Sequence, residues 1–144
     1  MDKYDKLKLE NQLCFSLYAA SREVIKLYKP LLDKFNLTYT QYLVLLVLWE
    51  DKDCTVKLLG EKLHLDSGTL SPLIKKLEKM ELIMKYRDVQ DDRVVHVTLT
   101  EKAEQLKETI LEVPEQLYCK FNDQMAELGQ LKILLDGLIQ NLDE

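Results

Sequence analysis

Glycine and proline are scarce, four and three in 144 residues. That excludes collagen-like and linker-rich architectures and leaves long periodic runs free to be helical. Histidine occurs twice and cysteine three times, with no Cys-x-x-Cys pair. Cys14, Cys54 and Cys119 do not make a secreted disulfide framework. With His64 and His96 isolated, no structural zinc site is indicated, and no cofactor is called for. No apolar stretch is long enough to cross a bilayer, and the charged start, Asp2 to Lys6, has no signal-peptide h-region. The expectation is a cytoplasmic protein with no membrane partner. An excess of positive charge is lacking too. The net charge of −5 argues mildly against nucleic acid. Its distribution softens that: between Thr55 and Thr100 eight basic residues stand against seven acidic, so that segment is +1 and the rest is −6. Placement of charge matters more than its total.

What is present is hydrophobic periodicity. Apolar residues make up 47% of the chain, enough for a real core. Asn11 to Leu32 reads as one helix with two apolar stripes. Leu13, Leu17, Ala20, Val24, Leu27 and Leu31 form one; Cys14, Tyr18, Ile25, Tyr28 and Leu32 form the other. In so small a chain the second cover could be another subunit. Pro30 should bend or close this helix and Asn36 should stop it in left-handed geometry. Thr38 or Thr40 caps the next helix, nearly all apolar through Tyr42, Leu43, Leu45, Leu46, Leu48 and Trp49, and hence central. Glu50 to Asp53 breaks it, and Cys54-Thr55 is a brief extended piece.

Two short helices come next, Val56 to Leu63 and Leu65 to Glu78, joined by His64-Leu65-Asp66. Asp66 or Ser67 caps the second. Leu70, Leu73, Ile74 and Leu77 form its apolar face, while Ser67, Thr69, Ser71, Lys75 and Lys76 lie off it. This is the pattern of a helix-turn-helix, whose second helix enters the major groove of DNA. A pair of core-packing helices with a solvated face would read the same. The next segment of the chain favours DNA: Leu82 to Arg87 and Arg93 to Leu99 flank the polar turn Asp88 to Asp92, a β-hairpin with Arg93 near its tip. Helix, turn, helix and basic wing in this order specify a winged helix. Thr100 caps a further helix through Ala103, Leu106, Ile110, Val113 and Leu117, kinked by Pro114. Met125 to Leu142 ends the chain, with Leu128, Leu131, Leu135, Leu138 and Leu142 at near-heptad spacing, a seam for packing across a dimer or within one subunit. The fold expected is mostly α with a small β-hairpin wing. It forms a single domain over 1–144, with the winged helix-turn-helix at about 36–100 and dimerisation helices at 1–35 and 101–144.

Asp91-x-Arg93 followed by Val97-Thr98-Leu99-Thr100 resembles the wing signature of the MarR family of winged-helix regulators. Leu65 to Glu78, Gln12 to Tyr18 and Leu37 to Tyr42 resemble the organic-hydroperoxide-sensing, OhrR-like branch, in the form with two cysteines. The resemblance spans most of the chain. It implies a homodimeric, DNA-binding transcriptional regulator, a repressor, whose two winged helices read a palindromic operator. It also implies that Cys14 is the redox sensor for organic hydroperoxides, that Tyr18, Tyr28 and Tyr39 are phenol donors to its thiolate, and that Cys119 resolves it across the subunits. Cys54 is expected to be inert. Ser67, Thr69, Ser71, Lys75 and Lys76 would face bases and phosphates, and Pro72 a thymine methyl. Pro72 costs little if it lies in the first turns. Arg93 would enter the minor groove, oriented by Asp91.

The residues alone support the thiol chemistry in part. A thiolate attacks a peroxide, and the start of a helix helps to stabilise one. Without the resemblance, Cys14 reads more simply as a small buried hydrophobe among core tyrosines. Two rivals remain. One keeps the fold and makes the signal a small aromatic ligand in a dimer pocket. The other is a thiol peroxidase, for which no Arg or His pairs locally with Cys14 and a wing has no use.

Overall fold

The structure, a computed structural model, describes residues 2–143. The outermost residues of the expected domain, Met1 and Glu144, lie outside them. Two compact units are present, Met1–Leu111 and Glu112–Glu144.

The first unit is built around α2 (Tyr39–Asp51). Its sequence is apolar on nearly every side, so it can only be stable when surrounded. Val44, Leu45 and Leu48 are wholly buried, with Tyr42 and Trp49 nearly so, while Leu46 stays exposed. Thr38 closes a capping box with Gln41: the Gln41 N–H donates to Thr38 Oγ1, and the Thr38 N–H to Gln41 Oε1. Trp49 Nε1 donates to the Ala103 carbonyl at 3.0 Å, tying α2 to α5 (Glu101–Ile110). Thr100 caps α5, and Ala103 is fully buried.

Before α2 runs α1 (Leu13–Asp33), starting two residues later than expected. Pro30 sits in its last turns without ending it, and Asn36, at φ 58°, makes the left-handed stop. Only Leu31 and Leu32 of α1 are buried; Leu13, Phe15, Tyr18 and Ile25 are exposed. Cys14 is exposed too, so it is not a core hydrophobe of this chain.

After α2 come β1 (Asp53–Thr55), α3 (Val56–Leu63) and α4 (Ser67–Lys79). Gly60 lies where α3 passes under the next turn: an added Cβ would stand 2.9 Å from the Leu65 carbonyl oxygen. His64 takes the left-handed conformation at φ 56° and lets the chain turn. Asp66 caps α4 by accepting from the Thr69 N–H at 2.7 Å. Leu70, Ile74 and Leu77 are buried and Leu73 is half-buried, as their spacing requires. The helix closes with Glu81 left-handed at φ 61°. The Leu82 N–H bonds to the Leu77 carbonyl, and the Glu81 N–H to the Glu78 carbonyl. That is a Schellman closure made without glycine.

The hairpin is β2 (Ile83–Arg87) and β3 (Val95–Leu99), antiparallel, with Tyr86 opposite His96 and Lys85 opposite Val97. β1 pairs with the far edge of β3, giving a three-stranded sheet in the order β1-β3-β2. Arg93 and Val94 belong to the wing loop rather than to the strand.

The expected kinked helix is interrupted at Leu111, and α6 (Glu112–Lys120) begins the second unit. The cause is Pro114. Its nitrogen cannot donate to the Ile110 carbonyl, and its ring crowds that group. The break therefore falls before the proline, which itself sits harmlessly in the first turn of α6. The last helix, α7 (Met125–Asp143), has no buried residue. Leu128 and Leu135 are half-buried, whereas Leu131, Ile133, Leu134, Leu138, Ile139 and Leu142 are exposed. Among the described residues no helix is long and apolar enough to cross a membrane.

Candidate nucleic-acid interface and thiol site

The burial of Leu70, Ile74 and Leu77 decides which side of α4 faces out. Ser67, Thr69, Ser71, Pro72, Lys75 and Lys76 are all exposed. Hydroxyls and two ammonium groups on one side of a helix, backed by an apolar face, can donate to phosphates and base edges. Pro72 is the sixth residue of α4, beyond its first turn. Its missing N–H therefore leaves the Gly68 carbonyl without its helical donor, a larger cost than the small one expected of a proline in the first turns. Gly68 is exposed, so water or a ligand can reach that oxygen.

In the wing, Asp91 holds Arg93. The Arg93 backbone N–H donates to Asp91 Oδ1 at 3.0 Å, its Nε to the same oxygen at 3.1 Å, and its Nη2 to Oδ2 at 3.3 Å. These bonds hold the Asp91 carboxyl below the usual carboxylate range. The Arg93 side chain is 91% exposed even so. It stands out from the loop with its orientation set and its outer N–H groups open.

The three thiols sort by environment. Cys54 is buried on the inner side of β1, and burial pushes its pKa up, helped by Asp51. Burial and a raised pKa both disfavour a reactive thiolate there. Cys14, the second residue of α1, and Cys119, in the last turn of α6, are both exposed. No side chain caps the start of α1 beside Cys14.

The expected tyrosines divide into two groups. Tyr18, one turn after Cys14, accepts from Arg22 Nη1 at 2.6 Å, and the guanidinium lies 5.4 Å from its ring centroid. The expectations from sequence did not include that contact. An i, i+4 pair on a helix brings it about, and it leaves the phenol hydrogen of Tyr18 to donate elsewhere. Tyr28 and Tyr39 pack together at the other end of α1, ring centroids 4.7 Å apart, with Tyr42 5.9 Å from Tyr28. Burial raises the pKa of Tyr39, keeping it a protonated donor. Cys14 and Tyr28 lie on one unbroken helix, and fourteen residues at 1.5 Å each make about 21 Å. The chain by itself therefore does not bring Tyr28 to the Cys14 sulfur.

His96, isolated in the sequence, is the centre of a cluster in the fold. Asp53 and Asp88 both reach the ring. Only the pairing of β1 with β3 brings Asp53 there, and sequence reasoning misses it.

Comparison with known proteins places this architecture. Residues 26–110 match the family described as "Transcriptional regulator SarA/Rot". The organic hydroperoxide resistance transcriptional regulator of Bacillus subtilis is 49% identical over 143 residues, covering 99% of this chain and 97% of the relative. Two structures of AbfR, a Staphylococcus epidermidis protein, superpose closely. The reduced form bound to DNA is 35% identical with a TM-score of 0.76, covering 96% of this chain and 99% of its own. The disulfide form is 35% identical with a TM-score of 0.68, covering 96% and 97%. The exposed polar side of α4, the Asp91–Arg93 wing and full-length similarity to a hydroperoxide-resistance regulator agree, and the chain belongs to the MarR-type winged helix-turn-helix transcriptional regulators, in their OhrR-like branch.

Proposed function

We propose that this chain is a cytoplasmic homodimeric repressor that holds a palindromic operator when reduced and lets it go when organic hydroperoxide oxidises Cys14. The observation that carries the proposal is the sorting of the thiols: Cys14 and Cys119 exposed, Cys54 enclosed. A relative named for organic hydroperoxide resistance and a neighbour seen both on DNA and as a disulfide support it.

On the DNA, Ser67, Thr69, Ser71, Lys75 and Lys76 contact the major groove, Pro72 meets a thymine methyl, and Arg93 with Asp91 reaches the minor groove. The dimer forms through the apolar residues that α1 and α7 each leave exposed. If the two α1 helices run antiparallel, Tyr28 and Tyr39 of one subunit approach Cys14 of the other. The distance along a single α1 then ceases to be an obstacle. With Tyr18 they donate to the thiolate.

The Cys14 thiolate attacks the outer peroxide oxygen, the O–O bond breaks, and an alkoxide leaves, taking a proton to become an alcohol. Cys14 is then a sulfenic acid. The thiol of Cys119 from the partner attacks that sulfur, water leaves, and an intersubunit disulfide forms. Closing it moves the winged helices off their groove spacing. The test is a non-reducing gel run beside operator binding, before and after cumene hydroperoxide. A covalent dimer should appear as DNA is released, and both should vanish in Cys14→Ser. In Cys119→Ser the covalent dimer should be lost while Cys14 still becomes a sulfenic acid. A covalent dimer persisting in either variant would overturn the Cys14–Cys119 pairing.

A further inference from the structure

The winged helix holds one polar cluster that neither the recognition helix nor the thiols use. His96 on β3 is gripped from both sides. Its Nδ1 lies 2.9 Å from Asp53 Oδ1 on β1, and its Nε2 lies 2.9 Å from Asp88 Oδ1, just past the end of β2. Tyr86 of β2 stacks on the imidazole, with centroids 4.8 Å apart and planes within 6°, and donates its hydroxyl to the other oxygen of Asp53. The ring is thus faced by Asp53 from β1, Tyr86 from β2 and Asp88 from the wing, and its side chain is only 20% exposed.

A neutral imidazole has one N–H, and an ionised carboxylate only accepts. A neutral ring therefore satisfies Asp53 or Asp88 but not both, and sets a lone pair against an oxygen on the other side. The two-sided grip needs the imidazolium. Asp88 first, then Asp53, raise the pKa of His96 above its ordinary value of 6.5.

Asp88 is also the hinge of the wing loop. Its N–H donates to the Val94 carbonyl at 2.8 Å. Its Oδ2 accepts from the N–H groups of Gln90 at 3.0 Å and Asp91 at 3.2 Å. Asp91 in turn holds Arg93. The loop has no apolar anchor at its tip, where Val89 is 98% exposed. Its other side-chain tie is Arg87 Nη1 to the Asp92 carbonyl at 2.7 Å. A continuous run of polar contacts thus leads from β1 through His96 and Asp88 to Arg93.

We propose that His96 is the positioning residue of the wing: by bridging Asp53 to Asp88 it sets the loop that presents Arg93 to DNA, and operator affinity follows its protonation. The inference rests on the wing being a DNA contact, as proposed above. Losing the proton breaks one of the two bridges, which loosens the run from β1 to the wing loop, and leaves a carboxylate uncompensated near phosphates. Both effects weaken binding. Because the protonated form is the one that presents Arg93, affinity is full below the raised pKa of His96 and falls as pH rises through it. One linked proton limits the fall to about tenfold per pH unit.

The test measures the dissociation constant of the reduced protein for a duplex recovered from random sequence by in vitro selection. Ionic strength is held fixed and pH runs from about 6 to about 8.5. Parent and His64→Gln should lose affinity with rising pH. His96→Gln should bind more weakly and without that slope, and Arg93→Ala should be weak and flat. A flat parent, a slope that survives in His96→Gln, or one that survives in Arg93→Ala would overturn the inference. Should His96→Gln not fold, the ring of His96 is titrated by NMR in the parent and in Asp88→Asn. A ring titrating at or below the ordinary value in the parent, or unmoved in Asp88→Asn, has the same consequence. Unchanged affinity of Arg93→Ala at every pH would instead sink the wing reading itself. A normal Arg93→Ala loss beside a pH-flat parent sinks only the role of His96.

Discussion

Arg93 is almost wholly in solvent and tied to Asp91 by its backbone and its guanidinium. An exposed pair of this kind contributes little to folding. Arg93→Ala should therefore leave thermal unfolding nearly unchanged while weakening operator binding by about 1–3 kcal/mol at matched salt. Equal affinity for parent and variant would remove Arg93 from the interface. Cys54 makes the opposite prediction. Cys54→Ser places a hydroxyl at a buried position and should lower stability by about 1–3 kcal/mol, seen as a lower urea midpoint. Its peroxide response should match the parent's, and a lost response would refute the inert assignment. At this scale legibility tracks sequence distance. The Asp91–Arg93 pair spans two residues of a tight turn, so it can be read directly. Asp53 and His96 are joined by strand pairing across 43 residues, which no local pattern announces.

Helix starts are more legible than helix ends. Thr38, Thr55, Asp66 and Thr100 each cap the helix immediately after them, and an oxygen poised to accept from free N–H groups is a local property. The ends use Asn36, His64 and Glu81 in left-handed geometry, and no glycine has positive φ. Only asparagine advertises such a stop; for histidine and glutamate, tertiary packing overrides the local preference. Glu81→Gly should accordingly stabilise the protein, by about 1 kcal/mol, because the left-handed conformation costs a side chain about that much. A lowered melting temperature would show that the Glu81 side chain contributes more than its strain. Gly60 carries the reverse expectation. Its Cβ would press on the Leu65 carbonyl, a backbone atom that cannot swing aside. Gly60→Ala should cost about 1–3 kcal/mol and disturb the turn that sets α4, which chemical denaturation and operator binding would both register. Parent-like values in both assays would show that the turn has room to give.

For the whole molecule, the sequence tells how much apolar surface there is, but not where it is satisfied. The stripes of α1 and the seam of α7 are in the pattern, yet the chain alone covers little of them. Periodicity says that a face is apolar and is silent on whether its cover is the same chain. Removing the residues after Met125 should therefore yield aggregated or unfolded protein, because an obligate dimer often lacks a stable monomer. A soluble, folded monomer by sedimentation would count against a dimer built through α7. The enclosure of Cys54 has a practical consequence here. A native chain offers alkylating reagents two of its three sulfurs, and the third becomes available only when β1 parts from its surroundings. Counting adducts by mass spectrometry over time thus clocks how often the sheet edge opens. It does so in the unmutated protein, with no dye attached and no substitution made.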